Sequence, residues 1–183
     1  MIHQLFPTPV CFDTFSSYDR IDELTSEFLI MDEYENDVDL FEQELPELQR
    51  FRSVFIEPAF DSYLTQLYGI TAGKNVLKAW AYKNKSKTNS WDMPHHNHAG
   101  AQFSAVFYLL IEDKEGGNLL LHDPRCNANR GYHVRPELNY QFNNWVVSPK
   151  THDYTIFPSY LFHSVTPVVN KTRIAFPVDM YME

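Results

Sequence analysis

The chain has 183 residues and a formal net charge of −9, with 14 Phe, 11 Tyr and 3 Trp. That length suffices for one domain with a well-buried core, and the aromatic load argues against disorder. The acidic balance speaks against nucleic acid and anionic membrane as main partners.

No apolar run reaches bilayer length. The opening Met1-Ile2-His3-Gln4-Leu5-Phe6-Pro7 lacks the charged and apolar regions of a signal peptide. Cys11 and Cys126 are far apart and read as reduced thiols. A cytoplasmic setting is therefore expected.

Residues 3–12, interrupted by Pro7 and Pro9, read as a short strand at a sheet edge. Over 17–30, Ile21, Leu24, Phe28 and Leu29 share one helical face. The acidic run from Asp32 to Glu47 reads as a solvated linker or helix face. A second helical stretch is expected from Pro46 to Leu67. Phe51, Val54, Phe55, Tyr63, Leu64 and Leu67 mark its buried side, with a break near Pro58. Gly69 to Lys74 is a turn.

From residue 75 the period becomes two, and Val76, Lys78, Trp80 and Tyr82 alternate with Leu77, Ala79 and Ala81. Gln102 to Ile111 is a strand of aromatic and branched residues. Gly116-Gly117 makes a turn into Asn118 to His122, and residues 123–142 read as a long loop. Trp145 to Val147, Asp153 to Phe157 and Thr172 to Tyr181 complete the strands. The fold expected is mainly β with N-terminal helices, a double-stranded β-helix (jelly-roll, cupin-like) barrel. Helical support spans about 17–70 and the barrel about 75–183, together one domain over 1–183.

Imidazoles at i and i+2 project to the same side of an extended chain. His96-Asn97-His98 can therefore offer both rings to one ion. His163, in Phe157-Pro158-Ser159-Tyr160-Leu161-Phe162-His163-Ser164-Val165, supplies a distant third ligand, and Arg173 places a cation on the following strand. Three ligands on one face leave positions open for chemistry. His95 brings the local count to three imidazoles in four residues. His3, His122, His133 and His152 have no clear partners and read as core or surface residues. Trp80, Trp91 and Trp145 read as core or rim aromatics, with Trp91 and Trp145 candidates for a mouth. Asp123 and Arg125 lie just past a strand end, where barrel sites open.

These pieces, in this order, resemble the iron(II)- and 2-oxoglutarate-dependent oxygenase superfamily. Within it they are most similar to a small prolyl-hydroxylase-like branch found in phages and bacteria. The resemblance runs through Leu5-Phe6-Pro7-Thr8-Pro9-Val10, Ser90-Trp91, His96-Asn97-His98 and Ser104-Ala105-Val106-Phe107-Tyr108-Leu109. It continues through Asp123-Pro124-Arg125 and Phe157 to His163, and ends at Arg173-Ile174-Ala175-Phe176. It implies Fe(II) bound by His96, His98 and His163, with Arg173 completing the catalytic set.

Most of the superfamily has Asp where this chain has His98. Three neutral ligands leave an iron more positive than the usual 2-His-1-carboxylate set. His95 in place of a neighbour, or a carboxylate from Asp92 or Asp123, remains an alternative. The resemblance further implies that Arg173 pairs with the far carboxylate of 2-oxoglutarate, since a guanidinium fork matches a carboxylate bidentately. The bland alternative is an ordinary strand arginine at a surface. Tyr108 and Tyr82 are expected beside that carboxylate, against simple core packing. Ala175 stands where relatives often carry Ser. Gly116-Gly117 resembles the Gly-Gly of prolyl hydroxylases, although a hairpin turn explains it equally well.

The implied activity is hydroxylation of a C–H bond with O2 and 2-oxoglutarate, giving succinate and CO2, with ascorbate as a possible accessory. The implied substrate is peptidyl, of prolyl type, or a small molecule, and the setting would be host cytoplasm for a phage-encoded chain. Two rivals remain. One is a cupin-type metalloenzyme that does not use 2-oxoglutarate, prompted by His96, His98 and Gln102; it has no need of Arg173. The other is a non-catalytic binding or structural protein on the same barrel.

Overall fold

The computed structural model describes residues 7–30, 38–84, 91–112, 117–125, 144–168 and 172–183. His3, Cys126, His133, Gly116, the first part of the acidic run and most of the 123–142 loop lie outside them, as do the side chains of Trp91 and Asp92.

The switch from helical to alternating periodicity near residue 75 is the switch between two layers. The helical layer comprises α1 (Ile21–Ile30), a 3-10 turn (Leu40–Glu42), α2 (Pro46–Phe51), a π turn (Arg52–Ile56) and α3 (Glu57–Tyr68). The strands are β1 (Cys11–Thr14), β2 (Asn75–Ala79), β3 (Tyr82–Asn84), β4 (Trp91–His96) and β5 (Phe103–Ile111). They continue with β6 (Leu119–Leu121), β7 (Trp145–Val147), β8 (Asp153–Pro158), β9 (His163–Val168) and β10 (Arg173–Met182).

The larger sheet has the order β1-β8-β5-β10-β2, with β3 also paired to β10. The smaller sheet has the order β4-β9-β6-β7. All pairings are antiparallel. The two sheets share an interior in which Val106, Tyr108 and Ala175 of one meet Leu119 and Leu121 of the other. This is the expected double-stranded β-helix.

The other face of the larger sheet carries the helices. Ala105, Phe107, Ile174, Phe176 and Val178 pack against Phe28, Phe51 and Phe60. Phe28 stacks on Phe176 with centroids 5.1 Å apart, and Phe51 meets Phe107 edge-on at 5.7 Å. Each such side chain contributes about 1.5–3 kcal/mol by leaving water. β5 and β10 are thus buried on both faces. Among the described residues no helix is long and apolar enough to cross a membrane.

Several local readings are corrected. α1 starts at Ile21 rather than 17. Pro58 does not break the helix: it sits in the first turn of α3, directly after the π turn, where the Glu57 N–H reaches back to the Arg52 carbonyl. The wider turn accommodates a residue that has no N–H to donate. It also rotates the helical face, so Val54, expected inside, is 52% exposed. The N-terminal strand lies at a sheet edge as expected, but it is Cys11–Thr14, and residues 7–10 are not part of it. Two strands went unmarked in the pattern, β4 and β9. Their pairing shifts register between Trp91 and Met93 and again between Met93 and His96.

Candidate metal centre

β4 ends and β9 begins at the same place, because His96 and His163 are direct cross-strand partners. His98 lies two residues past β4, and its backbone N–H donates to the Ser159 carbonyl at 3.1 Å. These contacts gather three imidazoles whose ligand atoms all lie within 4.8 Å of one another.

The outer nitrogen of each ring is committed. His96 Nδ1 meets the Pro94 carbonyl at 2.7 Å, His163 Nδ1 the Leu161 carbonyl at 3.0 Å, and His98 Nδ1 the Asp179 Oδ1 at 2.6 Å. Carbonyl oxygens only accept, so His96 and His163 carry their proton on Nδ1 and keep the Nε2 lone pair. The same arrangement holds at His98 when Asp179 is ionised. Buried His163 is pushed down to about 3 by desolvation, against the opposing bond to Leu161. His96 is lowered for the same first reason. Both rings are neutral at neutral pH, the state a metal ligand requires.

A narrow cleft opens onto these rings. Val106, Leu119 and Val165 give it apolar walls, while Arg173, Tyr108 and Tyr82 also line it. Arg173 is 3% exposed, and its guanidinium carbon lies 5.4 Å from the centre of the Tyr108 ring. Burial lowers its pKa, yet an arginine starts so high that it stays a cation. Tyr108 is fully buried, and burial pushes its phenol up to about 12, so it remains a donor. Its hydroxyl has no hydrogen-bond partner among the described residues; Thr155 is near but outside bonding geometry. Ala175 sits between Tyr108 and Tyr82 in register, and the Tyr82 hydroxyl accepts the Trp80 indole N–H at 3.1 Å.

Gly117 closes over the arginine. A Cβ there would stand 2.9 Å from Arg173 Cδ and 3.0 Å from Val168 Cγ2, and its φ is +69°. The glycine is therefore more than a turn residue. A buried cation beside a phenol in an apolar cleft suits a carboxylate ligand.

The other candidates go elsewhere. The His95 ring rests on His122 at 4.3 Å and on Phe162 at 4.6 Å, away from the three-imidazole group. His122 Nε2 contacts Ser164 Oγ at 3.0 Å. Asp123 is engaged by Arg125 at 2.9 Å, which lowers its pKa. Gln102, which prompted the cupin comparison, accepts the Met182 N–H instead. Trp80 packs near His98 at 5.4 Å, and Trp145 is exposed. Asp179 was not singled out in the sequence. Its signal was a lone carboxylate inside the apolar run Ile174 to Met180.

Residues 78–179 match the model of a protein family described as "Putative 2OG-Fe(II) oxygenase". The chain belongs to this oxygenase family. Fe(II) and 2-oxoglutarate are the family's cofactors, and the converging Nε2 atoms, the buried Arg173 and the buried Tyr108 hydroxyl fit them chemically. No curated protein matches the oxygenase chain.

Among solved structures, a Pseudomonas putida prolyl-4-hydroxylase aligns with TM-score 0.63 and 15% identity, over 96% of this chain and 94% of its own. The epimerase SnoN, solved with Fe3+, alpha ketoglutarate and nogalamycin RO, aligns with TM-score 0.61 and 16% identity, over 96% of this chain and 79% of its own. A 2OG-Fe(II) oxygenase family oxidoreductase from Burkholderia pseudomallei gives TM-score 0.51 and 13% identity over 74% of this chain. The oxygenase chain spans only 55% of that protein. At such identities these likenesses speak for the fold.

Proposed function

We propose that residues 1–183 act as one Fe(II)- and 2-oxoglutarate-dependent dioxygenase domain that hydroxylates a C–H bond. His96, His98 and His163 would hold the iron, and Arg173, with Tyr108 and Tyr82, would hold the far carboxylate of 2-oxoglutarate. The observation that carries this reading is one cleft lined both by three converging imidazoles and by a buried arginine. A cupin without 2-oxoglutarate has no use for that arginine.

When bound, the metal with 2-oxoglutarate and O2 supplies the oxidising power, with succinate and CO2 as co-products and one oxygen atom delivered to substrate. The protein's own contribution is positional. The carbonyls of Pro94 and Leu161 fix the tautomers and tilt of His96 and His163. Arg173 orients a dicarboxylate, and the Tyr108 O–H donates to it. Val106, Leu119 and Val165 keep water from the reacting centre. A peptidyl, prolyl-type substrate is favoured by the resemblance to prolyl hydroxylases, with a small molecule as the second choice.

Purified protein given Fe(II), ascorbate and 2-oxoglutarate is expected to release succinate without added substrate. His163→Ala and Arg173→Ala are expected to abolish that release. An anaerobic titration showing no 2-oxoglutarate binding would sink the proposal.

A further inference from the structure

Asp179 projects from the β10 face that also turns Arg173, Ala175 and Pro177 toward the pocket. Its side chain and that of His98 are 5% and 7% exposed. Asp179 Oδ1 receives two hydrogen bonds at 2.6 Å each, from His98 Nδ1–H and from Ser104 Oγ–H. With the Ser104 proton so used, Ser159 Oγ donates to Ser104 Oγ at 2.7 Å. The Ser159 carbonyl in turn receives the His98 backbone N–H. The chain Ser159–Ser104–Asp179 therefore grips His98 by ring and backbone. Among the described residues, this buried carboxylate is paired with no lysine or arginine, and its hydrogen bonds come from His98 and Ser104.

A carboxylate buried so deeply is costly unless its charge is answered. A divalent cation on the far side of the His98 ring would answer it. We propose that Asp179 is a positioning residue that supplies, through the His98 ring, the negative charge that this site lacks at position 98. Three neutral imidazoles leave a divalent ion uncompensated. Counting Asp179 restores one negative charge, one imidazole further out. A carboxylate on Nδ1–H also strengthens the lone pair on Nε2. The inference rests on the reading of the three histidines as ligands.

A packing role would need only shape and a hydrogen-bond acceptor, which Asp179→Asn retains. The test is Mn(II) titration of the full, metal-stripped chain by calorimetry, with far-UV circular dichroism to verify folding. Asp179→Asn is expected to weaken Mn(II) binding about 10- to 100-fold. Ser104→Ala, which leaves the charge in place, should weaken it less. In a His98→Asp background two carboxylates face each other, so there Asp179→Asn should strengthen Mn(II) binding. Asp179→Asn that is silent against a wild type that binds Mn(II), or that weakens binding in both backgrounds, overturns this inference alone. Wild type that binds no Mn(II) overturns the ligand reading and the inference with it.

Discussion

Gly117→Ala separates the cosubstrate anchor from ordinary turn chemistry. The added methyl would sit 2.9 Å from Arg173 Cδ, 3.0 Å from its Nε and 3.0 Å from Val168 Cγ2, so the arginine must move. Arg173 is deeply buried beneath the Tyr108 ring and has little room in which to do so. The left-handed backbone at φ +69° adds strain of about 1–2 kcal/mol. Gly73→Ala is the matched control: its φ is +60°, and a Cβ there meets nothing within 4 Å. Both variants should therefore lose similar stability from backbone strain. Only Gly117→Ala should also lose alignment between Arg173 and a bound carboxylate. A charged hydrogen bond contributes about 1.5–3 kcal/mol, so the 2-oxoglutarate Kd should rise about 10- to 100-fold. Anaerobic titration of the Fe(II)-loaded variants measures this directly, beside thermal melts of both. Unchanged affinity in Gly117→Ala, or an equal loss in Gly73→Ala, would refute the reasoning.

Two further outcomes are expected. Tyr108→Phe removes a buried hydroxyl with no hydrogen-bond partner among the described residues, so melting temperature should hold or rise while 2-oxoglutarate affinity falls about 3- to 10-fold; a parallel fall in both would assign Tyr108 to packing alone. For the metal-free protein, the folded pKa of His163 is depressed to about 3, so the unfolded chain takes up a proton that the folded chain refuses. Stability should therefore be full above the ordinary imidazole range and fall as pH drops from about 6.5 toward about 3, by up to the order of 4 kcal/mol. Half-buried His96 adds to the same trend. Urea unfolding across that window should show a shallower slope for His163→Gln, and identical slopes would contradict it.

The barrel was legible where one face of an element meets water or the period is unambiguous. The alternation of Val76 to Tyr82, which the structure divides between β2 and β3, falls into this group, whereas Gln102 to Ile111, buried on both faces as β5, was legible from its long run of aromatic and branched residues. β10 was legible as a strand but not as two faces, because Ile174 and Phe176 are as buried as Arg173 and Ala175. A strand buried on both sides has no polar alternation to read. Asp179 was hidden for this reason, although it stands on the same face as Arg173. β4 was hidden by Pro94 and its irregular register. The π turn was hidden because Pro58 signals a helix end in sequence, and only the geometry of Arg52 to Glu57 removes the conflict. The convergence of His96, His98 and His163 was legible because residues at i and i+2 share a side and the barrel layout returns a third strand beside them.

The site is divided between the two sheets. His96 and His163 belong to the smaller one, while Arg173, Tyr108 and Tyr82 belong to the larger. A metal and a dicarboxylate bound together would form a chelated strut across the interior, fastened at each end to a different layer. Any breathing of the layers would stretch that strut, so occupancy by either ligand should narrow the motion that the other must overcome. The pair should then protect amides on both sheets from hydrogen exchange by more than the sum of their separate effects.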